Sequence, residues 1–149
     1  MEPKSAAETA ERISRRRARM MPLLGVLFIG WQANYLSTAE HSTRLVDHVK
    51  ISAWFVWALA LLFLLAASGG LFRSAEVRAL VNDELTRENR RTGYVYGFWA
   101  AVGAAIGLYA VGLFEPLNGR EAVHILLTAA IGTALVTFGA LERRQMRHG

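Results

Sequence analysis

The chain has 149 residues, 53% of them hydrophobic and 19% charged, and a formal net charge of +5, a length that fits one domain. It contains no cysteine, which excludes disulfides, thiolate metal sites and thiol catalysis. The charge is gathered into a few polar islands, separated by runs of about 17 to 22 residues with little or no charge. A soluble helix interleaves charge with apolar residues at helical period, whereas long uncharged runs match the thickness of a bilayer core. Most of the cations are arginines flanking apolar runs, so the basic balance reads as membrane topology and no nucleic-acid partner is expected.

In chain order, residues 1–12 are polar and are expected to lack stable structure. Arg12, Arg15, Arg16, Arg17 and Arg19 then precede an apolar run. No small-residue cleavage site follows it, because Gln32, Asn34 and Tyr35 occupy that region, so the run is expected to stay as a first helix. Residues 11–19 read as its positive flank, with a short basic helix on the membrane surface as the alternative. The first span is predicted at about 20–36, with Pro22 near its start, where a missing N–H does little harm. Trp31 and Tyr35 lie where an aromatic belt would place them. Residues 37–50 are mixed in charge and fit a short interfacial helix leading into a second span at about 51–72. Trp54 and Trp57 mark the outer end of that span, and Ser68, Gly69 and Gly70 its exit.

The next segment predicts a cytoplasmic amphipathic helix over about 75–91, capped by Ser74. Val77, Leu80, Val81 and Leu85 recur near helical period. Arg78, Glu84, Arg87, Glu88 and Arg91 are expected to form a mixed-charge surface for lipid or a partner. A third span at about 93–114 carries no charge, with Tyr94, Tyr96 and Trp99 at one end. Pro116, and Asn118 with Glu121 as a capping box, make a tight turn into a fourth span at about 122–141. The tail, 142–149, is basic.

The positions of arginine and lysine set the expected orientation. Fourteen lie before the first span, between the second and third, or after the fourth, against three (Arg44, Lys50 and Arg120) in the other two connections. The positive-inside rule then puts both termini and the amphipathic helix in the cytoplasm. The expected fold is all-α: a polytopic protein of four transmembrane helices in a cell inner membrane or plasma membrane. Gly93, Gly97, Ala100, Gly103, Ala104 and Gly107 make small-xxx-small steps, echoed by Gly132, and predict a tight hairpin of the last two spans.

No catalytic residue, cofactor or enzyme motif is read from the sequence. There is no HExxH, no phosphate-cradling glycine loop and no nucleophile–histidine signature. His41, His48 and His124 all fall on the expected outer side and are weak metal-ligand candidates. Thr128, Thr133 and Thr137 are the deep polar groups, each expected to bond a backbone carbonyl of its own helix. The expected function is a small accessory, assembly or scaffold subunit of a membrane complex. Its partners would be anionic headgroups at the cytoplasmic face, and copies of itself or another membrane protein. The alternative is an oligomeric channel or transporter for an ion or small solute.

Overall fold

The computed structural model describes residues 5–37, 45–67 and 74–148; of 33–37, 45–51 and 148 it describes the backbone only. Among the described residues there are five α-helices and no strand: α1 (Ala6–Ser37), α2 (Leu45–Ala67), α3 (Ala75–Val81), α4 (Glu84–Gly112) and α5 (Gly119–His148). Two of them, α4 and α5, are long and apolar enough to cross a membrane, and Ser52–Ala67 of α2 is a shorter apolar stretch.

The helices outrun the apolar segments. α1 begins at Ala6, so residues 6–12 are helical where an unstructured segment is expected, and α1 runs unbroken through the basic flank. α5 likewise continues to His148 through the basic tail. At 1.5 Å per residue, α1, α4 and α5 are each roughly 43–48 Å long, well beyond the ~30 Å of a bilayer core. The excess carries polar side chains far enough to meet at one end of the bundle.

The amphipathic helix expected over 75–91 is two helices. Ser74 caps α3 as expected, its hydroxyl accepting from the Val77 N–H. Asn82 then ends α3, and Asp83 starts α4 with extended backbone and its carboxylate accepting from the Thr86 N–H at 2.8 Å. A short acceptor side chain competes with helix continuation and is favoured at an N-cap, so the Asn-Asp pair is a break. The apolar face divides with it. Val77 and Val81 are buried against Ala10, with Ala6 and Ile13 packed alongside, whereas Leu80 and Leu85 are exposed.

α5 lies between α1 and α4 and runs antiparallel to both. Along α1, Arg17 meets Glu142, Pro22 lies against Gly139, and Gly25 against the stretch from Gly132 to Val136. Along α4, Asn89 meets Gln145, Gly93 lies against Ala134 and Phe138, and Gly97 against Ala130 and Ala134. α2 runs parallel to α5, since Trp54 stacks on His124 at one end and the Ala66 carbonyl accepts from Arg90 Nη1 at the other. The four long helices thus alternate in direction, and their core is Met21, Phe28, Trp54, Ala58, Leu61, Leu65, Ile131, Ala134, Leu135 and Phe138.

Small residues set how closely α5 is approached. A Cβ on Gly97 would lie 2.6 Å from the Ala130 carbonyl oxygen, and one on Gly93 2.9 Å from that of Ala134. Gly132 belongs to the other face of α5, where a Cβ would lie 2.5 Å from Ile29 of α1. Gly103 and Gly107, further along α4, have nothing within 4 Å, and Ala100 and Ala104 are only part-buried. The stripe on α4 therefore splits into a packed half and an open half. Gly97→Ala is expected to cost about 1–3 kcal/mol by overpacking. Gly103→Ala should be neutral or gain up to about 1 kcal/mol from helix propensity. Unfolding of the two variants in detergent, followed by circular dichroism, compares them directly; equal effects would contradict this packing.

Candidate functional site

Pro22 is the starting point, because its ring removes a donor from the middle of α1. Pro22 was expected near a helix start, where its missing N–H does little harm; instead sixteen helical residues precede it, so its missing N–H leaves the Ala18 carbonyl without its usual i+4 partner. α5 supplies the replacement. Gly139 leaves room for the pyrrolidine ring, where a Cβ would overlap it. One turn further on, Arg143 donates from Nε to the Ala18 carbonyl at 2.8 Å and from Nη2 to the Arg19 carbonyl at 3.1 Å.

Immediately beside this repair lies a buried ion pair. Arg17 and Glu142 keep 3% and 4% of their side-chain exposure, and Arg17 Nη2 is 2.6 Å from Glu142 Oε2. Arg17 Nε donates to the same oxygen at 3.0 Å, Nη1 to the Val81 carbonyl at 3.2 Å, and Nη2 to Thr86 Oγ1 at 3.0 Å. The other carboxylate oxygen accepts from Thr86 Oγ1 at 3.3 Å and Asn89 Nδ2 at 3.4 Å. Asn89 and Gln145 exchange reciprocal amide bonds at 2.9 and 3.2 Å. The guanidinium also stands 5.5 Å from the centroid of the Phe138 ring, within cation–π range. One network therefore ties α1, the last residue of α3, α4 and α5.

A second polar layer occupies the opposite end of the core. Trp54 lies between two rings, with centroids 3.6 Å from His124 and 6.0 Å from Phe28. Gln32 is one turn beyond Phe28 and Thr128 one turn beyond His124, and all four polar side chains are buried. Glu142 is eighteen residues beyond His124 on α5, so the two layers are about 27 Å apart along the helix.

Arg78, Glu84, Arg87, Glu88 and Arg91 are all exposed, Arg78 on α3 and the other four on α4. Their contacts are local: Arg87 Nε donates to the Asn82 carbonyl at 3.3 Å, and Arg91 and Glu88 are 4.0 Å apart. Glu8, Glu11, Arg12, Arg15, Arg16 and Arg19 line a shallow open groove on α1, and Arg15 pairs there with Glu11. His41 lies outside the described residues, as does the side chain of His48. Among the described residues no three metal-ligating groups gather, and His124 is stacked on Trp54.

Sequence reasoning missed Arg17, Thr86, Asn89 and Glu142. A signal was present: on α5 the series His124, Thr128, Ile131, Leu135, Phe138, Glu142 steps by four and three. Continuing that stripe past the apolar run puts Glu142 on the buried face. On α4, Thr86 and Asn89 continue the face of Gly93 and Gly97 in the same way.

The chain matches no protein family, no curated protein and no solved structure. Its function is therefore read from its own chemistry. Removing one partner of a buried pair leaves an uncompensated charge, so Arg17→Met and Glu142→Leu are each expected to destabilise by about 3–5 kcal/mol. The double variant should recover much of that loss. Unfolding midpoints of the three variants in detergent check this; additive losses would show that the pair is not coupled.

Proposed function

We propose that the chain is a four-span protein of a cell inner or plasma membrane, with both termini cytoplasmic, serving as an accessory, assembly or scaffold subunit of a membrane complex. The observation that carries this reading is the face α4 leaves open. Its most apolar stretch is only 6% buried within the chain, unlike the core helix of a water-soluble fold. Phe98, Trp99, Ile106 and Tyr109 are more than 60% exposed. In water, an apolar surface of this extent marks a contact with membrane or partner. Gly103 and Gly107, free of neighbours, leave backbone accessible to another helix.

The alternating helix directions support four spans with the arginine-rich segments on one side. With that side cytoplasmic, the groove of Arg12, Arg15, Arg16 and Arg19 lies at headgroup depth, where anionic lipid is the natural partner. The exposed face of Arg78, Glu84, Arg87, Glu88 and Arg91 carries both signs of charge and suits a polar partner on the same side. The alternative, a channel or transporter, has less support. Between the two polar layers the core cluster of Phe28, Leu61, Leu65, Ile131 and Leu135 is apolar, and among the described residues α5 adds only the hydroxyls of Thr133 and Thr137 there, with no Asp, Glu, Lys, Arg or His.

Purification in mild detergent followed by mass spectrometry tests the proposal. The expected result is a defined set of co-purifying membrane proteins, reduced by Gly103→Leu, which fills the open face of α4. A chain that purifies only as a monomer would overturn it. Alkaline carbonate extraction tests the membrane reading separately; release into the soluble fraction would exclude it.

A further inference from the structure

The second polar layer has unmet hydrogen-bonding demand. Gln32 is 4% exposed, yet neither its Nε2 nor its Oε1 has a hydrogen-bond partner among the described residues. The same holds for Trp54 Nε1 and Thr128 Oγ1, in side chains that are 7% and 5% exposed. Thr128 departs from expectation here, because its hydroxyl does not bond a carbonyl of its own helix. These groups come from three helices, α1, α2 and α5, at one level of the bundle. Trp54 stacks on His124, Thr128 is one turn along the same face of α5, and Gln32 is one turn from Phe28, Trp54's other ring neighbour. The register of α1 on α5, with Pro22 at Gly139 and Ile29 at Gly132, puts Gln32 level with Thr128.

A buried amide, hydroxyl or indole N–H left unmet carries its full desolvation cost. Neighbouring orphans of complementary sense, a donor-only group beside groups that can accept as well as donate, are the setting in which buried water is held. We infer that Gln32, Trp54 and Thr128 hold ordered water in a neutral polar pocket between α1, α2 and α5. Trp54 supplies a donor, Gln32 a donor and an acceptor, and Thr128 either. That set completes two to four bonds to a molecule of water size, the number a buried water makes. The three groups themselves carry no charge, and His124 stacks on Trp54 beside them. Thr128 lies nine residues into α5 from Gly119, about 14 Å along that helix. The apolar layer of Phe28, Ile131 and Leu135 closes the pocket below.

Full-length protein labelled with ¹⁵N-tryptophan and reconstituted in phosphatidylcholine bilayers tests this by water-to-indole magnetisation transfer, with Trp54→Phe assigning the Trp54 signal. Transfer to the Trp54 N–H is expected in the unmodified protein. It should be lost in Gln32→Leu and in Thr128→Val, each close in volume to the residue it replaces. An indole N–H that receives nothing from water would overturn the inference, as would transfer unchanged in both variants. If Gln32→Leu fails to fold, Thr128→Val decides alone, since it removes one hydroxyl and keeps the shape.

Discussion

Arg17 and Glu142 are held almost wholly out of solvent, and two such charges persist only if every other hydrogen-bonding position on them is also occupied. Thr86 and Asn89 of α4 and the terminal carbonyl of α3 do this. The pair therefore assembles four segments. It also sets the axial register of α1 on α5, because sliding either helix by a residue would strand a buried charge. The contacts further along follow from that register: Pro22 sits at Gly139, Gly25 at the stretch from Gly132, and Ile29 at Gly132. Arg143 then lies where the proline has freed the carbonyls of α1.

α5 takes on three neighbours because its sides are different. One side presents Ala130 and Ala134 to the glycines of α4, and another presents Gly132 and Gly139 to α1. The large residues Ile131, Leu135 and Phe138 point between them into the core, where Leu61 and Leu65 of α2 complete the packing. Small residues at the close approaches let helices gain dispersion contacts without a solvent-driven hydrophobic term, which suits a bundle in lipid. α4 uses only its first half in this way, and its open second half is the surface on which the proposed partner role rests.

The polar groups concentrate at the two ends of the core, and the ends differ in kind. One is ionic, with the Arg17 and Glu142 side chains hydrogen-bonded from several elements; the other holds the uncharged side chains of Gln32, Trp54 and Thr128 beside His124, the first three unmet among the described residues. The ionic end reads as a lock on helix arrangement. The unmet end reads as a place for water. Between them the buried core cluster is apolar, and Thr133 and Thr137 are the polar side chains α5 carries there; among the described residues no Asp, Glu, Lys, Arg or His lies between the two layers on α5.

Long uncharged runs, a helix cap at Ser74 and the turn around Pro116 were legible in the sequence because they are local: they depend on periodicity, on one hydroxyl or on one missing N–H. The all-helical class and the two longest apolar helices follow from such signals. The break at Asn82 and Asp83 was local too, but the apolar period running through it concealed it. What only the tertiary structure decided is partnership. Arg17 is one of five arginines in a short basic stretch and Glu142 the one carboxylate in a basic tail, 125 residues apart. Nothing nearby in the chain distinguishes Arg17 from Arg16 or Arg19. Helix direction and register select it, since at that level of the bundle only Arg17 faces α5, and a charge so buried is tolerable only where its counter-charge arrives from another helix.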